Sequence, residues 1–272
     1  MTEPGTLLVG CVQMRSDLDP GENLRQCLRY LDEARTAGVD LLIFPETVSS
    51  RVDDPSRAPQ AESLDDGFVA GLAKATEGLD LTVIAGVTET HDDRPFNTLV
   101  ALRDGQRVAR YRKIHLYDAC AMAESDTIAP GDGPVSTFAV KGFEVGMMTC
   151  YDIRFPELSR LLAERGADLL AVPTSWVRGP LKEEHWTTFC KARALENTVY
   201  LAGACQTGGS RVGLTSVVAP DGVIVSRLAQ HEGLVTARIG RDALTAAREA
   251  FPLLEQRRFA ISPEITPHPT AD

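Results

Sequence analysis

The chain has 272 residues, 43% hydrophobic and 24% charged, with a formal net charge of -10 and a pI near 5.1. That length can bury one large α/β core or two small ones. The acidic balance argues against nucleic acid as the main partner and leaves no basic patch for a membrane. No run approaches the length of a membrane-spanning helix, and MTEPGTLLVGCVQM lacks the basic start and longer apolar run of a secretory signal.

Taken in order, Thr6 to Val12 reads as a buried strand. Leu24, Cys27, Leu28, Leu31 and Ala34 then recur at helical spacing, and Gly38 closes that helix. Val39 to Phe44 is a second buried strand ending at Pro45-Glu46-Thr47, and residues 49–62 are polar enough for a surface loop. Phe68, Leu72 and Ala75 suggest a helix, with strands at Leu81 to Val87 and Leu99 to Leu102. Asp104-Gly105 predicts a tight hairpin into Val108 to Tyr111. Lys113 to Pro134 has little periodicity, and a loop of that length in a compact fold is usually functional.

Val145 to Thr149 is a short apolar run that reaches Cys150; a polar turn follows, and Pro156 opens a helix that Gly166 ends. Further strands fall at Asp168 to Val172, Thr198 to Ala204, Leu214 to Ala219, Val223 to Val225 and Val235 to Ile239. Helices fall at about Glu183 to Glu196 and from about Asp242. The tail after Arg258 is Pro-rich and expected to be extended. Strand–helix alternation interrupted by hairpins implies a mixed, twisted α/β sheet system with helices on its outer faces. With no linker and no composition break, one domain is expected over residues 1–272, with its core at about 5–258.

Three of the strand ends carry polar residues: Glu46, Lys113 and Cys150. Each has an ordinary explanation alone, as a helix-capping acid, a solvated lysine and a buried structural cysteine. Together they supply the chemistry of amide hydrolysis. A thiol needs a base, and donors near a strand end can lower its pKa. A carboxylate raised in a dry pocket can take the thiol proton, return it to the leaving amine and then activate water. An ammonium and a backbone N–H can hold the oxyanion. The other cysteines, Cys11, Cys27, Cys120, Cys190 and Cys205, form no Cys-x-x-Cys pair, so reduced cytosolic thiols are expected. The five histidines show no metal-ligand spacing, and no glycine-rich phosphate loop is present.

LLIFPE around Glu46, YRKIHLYD around Lys113 and GMMTCYDIRFPELSR around Cys150 stand in the order of a known triad. Through them, with PTSW ending at Trp176 and ARALENTVYLAGA at 192–204, the chain resembles the nitrilase superfamily of carbon–nitrogen hydrolases over about residues 5–258. The resemblance implies a four-layer αββα sandwich, a homodimer or larger homo-oligomer, and no cofactor; the cysteines and the missing secretory signal point to the cytoplasm. It implies that Glu46 is the general base, Lys113 the oxyanion stabiliser and Cys150 the nucleophile that forms a thioester. It also implies that Tyr151 lends its backbone N–H and that Glu124 holds Lys113 or orients substrate. The family's usual Gly-His-Ser is Gly213-Leu214-Thr215 here, so the imidazole of that site is missing.

Arg154 and Trp176 are the expected substrate-binding residues. A guanidinium suits a bidentate grip on a carboxylate, and its alternative is an ion pair with Glu157 or Asp152. The strings KIHLYDA and CYDIRFPELS are most similar to the Nit-type amidase branch, implying small carboxylated ω-amides such as 2-oxoglutaramate or deaminated glutathione as substrates. Three other readings stay open: an N-carbamoyl amidohydrolase, a non-catalytic binding protein on the same fold, and a Cys–His hydrolase using His115 or His185.

Overall fold

The apolar runs resolve into two six-stranded sheets packed face to face, each backed by helices, in a computed structural model that describes residues 5–51 and 60–268. The first half runs β1 (Thr6–Gln13), α1 (Pro20–Ala37), β2 (Leu41–Ile43), α2 (Gly67–Lys74), β3 (Thr82–Glu89), β4 (Phe96–Arg103) and β5 (Gln106–Arg112). A small hairpin, β6 (Asp118–Ala119) and β7 (Met122–Ala123), leads to a 3-10 turn at Glu124–Asp126. Next come β8 (Thr137–Val140), β9 (Phe143–Met147), a 3-10 turn at Cys150–Arg154, α3 (Pro156–Glu164), β10 (Leu169–Thr174) and α4 (Lys182–Asn197). The chain then passes through β11 (Tyr200–Cys205), β12 (Ser216–Val218), β13 (Ile224–Arg227), β14 (Gly233–Gly240), α5 (Arg241–Ala250) and α6 (Leu253–Gln256).

One sheet has the order β14-β1-β2-β3-β4-β5 and the other β13-β12-β11-β10-β9-β8. Each has three parallel strands at its centre, β1-β2-β3 and β9-β10-β11, with antiparallel partners on either side. The layers follow from the period of two along a strand. On β2, Leu41 and Ile43 join the cluster between the sheets, while Leu42 and Phe44 face α1 and α2. Those helices return Cys27, Leu31 and Ala34, and Phe68 and Leu72, to that second cluster. On the far side, Leu158 and Leu162 of α3 and Trp186, Cys190 and Ala194 of α4 cover the other sheet. The result is the four-layer αββα sandwich.

Local signals explain the boundaries. Asp19 caps α1 by accepting from Gly21 N at 2.8 Å, a cap generally worth about 1 kcal/mol. Gly38, at φ +74°, ends the same helix. Trp186 lies so close to β11 that a Cβ on Gly203 would stand 2.6 Å from its ring. The first-sheet hairpin turns at Asp104-Gly105, both in left-handed conformation, as their residue types predict.

Several expectations need correcting. The aperiodic stretch from Lys113 contains the β6–β7 hairpin and a 3-10 turn, and strand β8 follows it unannounced. β8 escaped because its burial is partial, with only Val140 fully inside. Of the polar segment at 49–62, residues 52–59 lie outside the described residues, and Ser49, Ser50 and Arg51 are buried rather than on the surface. Their polarity is satisfied internally: Asn23 Nδ2 donates to Ser49 O at 2.8 Å, and Arg51 Nη1 to Thr207 O at 2.9 Å. Residues 259–268 of the tail form neither helix nor strand. Among the described residues, no helix is long and apolar enough to cross a membrane.

Candidate active site

Four strand ends meet at one edge of the sandwich. Glu46 follows β2, Lys113 follows β5, Cys150 follows β9, and Ser175 and Trp176 follow β10. β5 lies two antiparallel reversals beyond β3, so its carboxyl end falls at the same edge as that of β2. This is the edge where α/β sheets present their binding residues.

Each side chain is fixed by backbone contacts around it. The Glu46 turn is stitched to β3 by Phe44 N to Ile84 O (2.8 Å), Val48 N to Gly86 O (2.6 Å) and Gly86 N to Pro45 O (3.1 Å). Gly86 is required there, because a Cβ on it would come within 2.6 Å of Glu46 Cα. Lys113 donates its N–H to Asn97 O and accepts from Gly131 N, both at 2.8 Å. Gly131 presses so closely that a Cβ would meet Arg112 O at 2.3 Å. Cys150 begins a 3-10 turn at φ +46°, a left-handed position unusual for a residue with a side chain. The turn is held by buried Asp152, which accepts from Thr149 N (2.8 Å), Tyr111 Oη (2.7 Å) and His115 N (3.0 Å), with His115 Nδ1 at 2.8 Å.

The charged centre is largely buried. Lys113 and Glu46 are almost wholly buried. Glu46 Oε1 accepts from Lys113 Nζ (3.0 Å) and Asn97 Nδ2 (2.7 Å), and its Oε2 accepts from Ser175 N (2.6 Å). Glu124 grips the same ammonium, at 2.8 Å through Oε2 and 3.1 Å through Oε1, and also accepts from Tyr117 N at 2.7 Å. Lys113 is thereby clamped between two carboxylates, which Asn97 further links.

The titration of the site departs from expectation in two respects. Burial pushes Glu46 up, but the charge of Lys113 and hydrogen bonds from Lys113, Asn97 and the Cys150 thiol outweigh it, holding Glu46 below the usual carboxylate range. The Cys150 thiol is pushed up to about 12, first by burial and then by the charge of Glu46, against the opposing pull of Lys113. The resting arrangement is a thiol beside a carboxylate, not a thiolate beside a raised acid. Burial also lowers the affinity of Lys113 for its proton, yet the two glutamates hold it well above the ordinary lysine range, so it stays an ammonium.

A cavity of about 160 Å³ opens over these groups. Glu46, Lys113, Glu124, Cys150, Tyr151 and Trp176 all line it, together with Asn97, Ser175, Tyr117, Lys182 and Arg211. A dry cavity of similar size holds a ligand of roughly six heavy atoms, which sets the scale of what fits near the thiol. Arg154 is not brought in. Its guanidinium lies 4.9 Å from the ring centre of Phe189, 5.1 Å from Trp176 and 5.8 Å from Tyr151, and it is not among the residues that line the cavity. Among the described residues it has no ion pair with Glu157 or Asp152; Asp152 is taken by Tyr111, Thr149 and His115.

Neither histidine of the alternative hydrolase lines the cavity. His115 is stacked on Phe155, with centroids 3.8 Å apart, and bound to Asp152, while His185 packs against Phe189. Leu214, at φ +65°, is also outside the cavity lining; its carbonyl accepts from Trp186 Nε1 at 3.1 Å, and Thr215 Oγ1 accepts from Cys205 N at 2.9 Å. Sequence reasoning missed Asn97, Ser175, Lys182 and Arg211. Ser175 alone had a signal, because it stands at the end of an apolar strand, as Glu46 does.

Residues 8–249 match the family model of the carbon–nitrogen hydrolases. The chain is 36% identical to the deaminated glutathione amidase of Escherichia coli O157:H7, a match spanning 88% of this chain and 92% of that one. It is 32% identical to the chloroplastic omega-amidase of Arabidopsis thaliana, spanning 92% and 72%. Its fold is similar to that of Nit3 from Saccharomyces cerevisiae, a member of branch 10 of the nitrilase superfamily, with a TM-score of 0.82, 26% identity and 94% and 97% coverage. The chain belongs to the carbon–nitrogen hydrolase family, within the nitrilase superfamily, and is a hydrolase of amide type.

Proposed function

We propose that the chain hydrolyses the terminal amide of a small carboxylated ω-amide, with Cys150 as nucleophile, Glu46 as general base and acid, and Lys113 as oxyanion partner. The observation that carries this reading is the buried Glu46 carboxylate, ionised between Lys113 Nζ at 3.0 Å and Ser175 N at 2.6 Å and in contact with the Cys150 thiol. Relatives named for deaminated glutathione and for omega-amides support the substrate class. The cavity near the thiol suits a short amide arm such as that of 2-oxoglutaramate.

In the first half-reaction the sulfur attacks the amide carbon as its proton moves to Glu46, and the carbonyl electron pair moves onto oxygen. The oxyanion is met by Lys113 and by the Tyr151 N–H, and one such donor is typically worth about 3–4 kcal/mol. Collapse breaks the C–N bond, the proton passes from Glu46 to nitrogen, and ammonia leaves a thioester. In the second half-reaction Glu46 takes a proton from water, the hydroxide attacks the thioester, the C–S bond breaks and the proton returns to sulfur. The balance is amide plus water to carboxylic acid plus ammonia. Glu124 keeps Lys113 in place and keeps it charged.

The same reading takes the whole chain as one hydrolase domain in the cytoplasm, where its unpaired cysteines suit a reducing compartment. Exposed apolar Leu195, Val223 and Val225 support a homo-oligomeric face. The direct test is an ammonia-release panel of 2-oxoglutaramate, deaminated glutathione, N-carbamoyl amino acids and simple nitriles, with mass spectrometry of acid-quenched protein. Ammonia from the ω-amides and an acyl adduct on the Cys150 peptide are expected. Turnover that survives Cys150→Ala would overturn the assignment.

A further inference from the structure

The cavity carries more positive charge than amide cleavage requires. Lys113 is engaged by Glu46 and Glu124. Arg211 is tied down by Ser175 Oγ, to which its Nε donates at 2.7 Å, and by Ser210. Lys182 differs from both. Its Nζ donates to Tyr117 Oη at 2.9 Å and sits 5.0 Å from the Tyr117 ring centre and 5.6 Å from that of Trp176. No carboxylate lies within ion-pair distance of it among the described residues, although lysines on protein surfaces commonly find one.

The placement is built rather than incidental. Leu181, at φ +57°, turns the chain into α4, and the Lys182 carbonyl accepts from Trp176 Nε1 at 2.9 Å. The lysine backbone thus orients the indole while its side chain crosses to Tyr117, so Lys182 bridges the two aromatic walls of the cavity. An ammonium between ring faces is partly withdrawn from water, and an anion reaching it there is held more strongly than on an open surface. Arg154 stands against Trp176 outside the cavity, adding positive potential without a hydrogen bond to anything inside.

Resting on the amidase reading above, we infer that Lys182, with Tyr117 beside it, is the specificity-determining group of the site and binds the carboxylate of an ω-amide whose amide carbon lies at Cys150. The lysine acts as a point charge rather than a fork, so the site asks for one anionic oxygen at a fixed reach from the thiol and tolerates variation in the rest of the acid. This assigns to Lys182 the role that the sequence suggested for Arg154.

The test compares two amides of equal reach: succinamate, and 4-methylpentanamide, which has an isopropyl group where succinamate has its carboxylate. The readout is the ratio of their kcat/KM values in wild type, Lys182→Met and Lys182→Arg. Losing one charge-assisted contact should lower the succinamate preference by roughly tenfold to a hundredfold in Lys182→Met, with the loss in KM, and Lys182→Arg should restore most of it. An unchanged ratio, including equal loss on both amides, overturns the inference, because a merely structural lysine would affect both. A second arm measures succinamate binding to Cys150→Ala protein by calorimetry, with and without Lys182→Met. Affinity that ignores the lysine also overturns the inference. If wild type cleaves neither amide but releases ammonia from the ω-amides of the panel above, the amidase reading stands, and the calorimetry decides whether Lys182 binds the carboxylate.

Discussion

Asp152 ties together the two segments that carry Lys113 and Cys150, so its removal should damage both stability and turnover. Tyr111 and His115 flank Lys113 along the chain, Thr149 precedes Cys150, and all three donate to the one Asp152 carboxylate, which is completely buried. Asp152→Asn leaves one oxygen and gains an NH2. Facing Tyr111 and Thr149, that NH2 could donate to the rotated phenol but would orphan Thr149 N–H; facing His115, it could donate to Nδ1 but would orphan His115 N–H. Either way one buried backbone donor is stranded, at a cost of about 1–3 kcal/mol, and the charge-assisted bonds weaken. We expect about 2–3 kcal/mol of destabilisation, which in a chain of this size is a drop of roughly 4–6 °C in Tm. Asp152→Ala strands every donor and should cost about 4 kcal/mol or more. Because a displacement of about 1 Å between reacting groups costs on the order of a hundredfold in rate, kcat should fall by tenfold or more in Asp152→Asn at temperatures where the variant is folded. Thermal unfolding followed by circular dichroism and an ammonia-release assay at 25 °C measure the two effects. Wild-type Tm together with wild-type kcat would refute the reasoning, and a Tyr111→Phe cycle should show coupling above about 0.5 kcal/mol with Asp152→Asn.

Gly86→Ala should leave the protein expressible yet cut kcat at least tenfold, since its methyl must push Glu46 Cα back from 2.6 Å; a crystal structure or steady-state kinetics decides, and normal kcat would show that the turn yields freely. Glu46→Gln should abolish turnover and at the same time lower the Cys150 pKa from about 12, because the carboxylate charge is its second-largest cause. The pH profile of iodoacetamide labelling at the Cys150 peptide reads this directly, and an unmoved midpoint argues against the coupling. For stability against pH the signs differ. Glu46 is depressed when folded, so its contribution is present above the unfolded value of 4.5 and is lost as pH falls below it. Lys113 is raised, so its contribution is present below 10.5 and lost as pH rises through its folded value, and burial of Cys150 adds a loss between 9.0 and about 12. Urea midpoints should therefore hold a plateau between those limits and fall on both sides, and a single optimum near pH 5 would contradict this assignment.

The strand ends were legible because a buried parallel strand leaves an unbroken apolar run, as in LLIF before Glu46 and GMMT before Cys150. The helices declare themselves through spacing and through Gly38 and Pro156. What stayed hidden depends on three-dimensional neighbours. Asn97 sits inside a strand whose neighbours are mostly apolar, and only the β2–β3 and β3–β4 pairings bring it to Glu46. Gly86 looked like an ordinary strand glycine until the Glu46 turn was found against it. Arg154 shows that position along the chain does not give direction in space: four residues past Cys150, the 3-10 turn sets its guanidinium against the rings of Phe189, Trp176 and Tyr151. Lys182 was passed over because a lysine at a helix start reads as solvated, and nothing local announces the Tyr117 ring opposite it.

The ionisation pattern narrows how the reaction begins. Burial beside an ionised carboxylate favours the thiol at Cys150 over a free thiolate, against the opposing pull of Lys113. In the proposed reaction the proton therefore leaves sulfur as the C–S bond forms, and Glu46 receives it. Glu46 is a weak base while Lys113, Asn97 and Ser175 all donate to it. It becomes stronger if Lys113 shifts its hydrogen bond from Oε1 to the nascent oxyanion, since that removes a donor from the carboxylate as negative charge moves to oxygen. Glu124 lets this happen without releasing the ammonium, because its grip at 2.8 Å does not depend on Glu46. On this account the second glutamate is what allows one lysine to serve the resting carboxylate and the transition state in turn. Glu124→Gln should then depress kcat far more than KM, by an amount approaching the roughly hundredfold to thousandfold typical of losing an oxyanion donor, while Glu46 and Lys113 remain chemically intact.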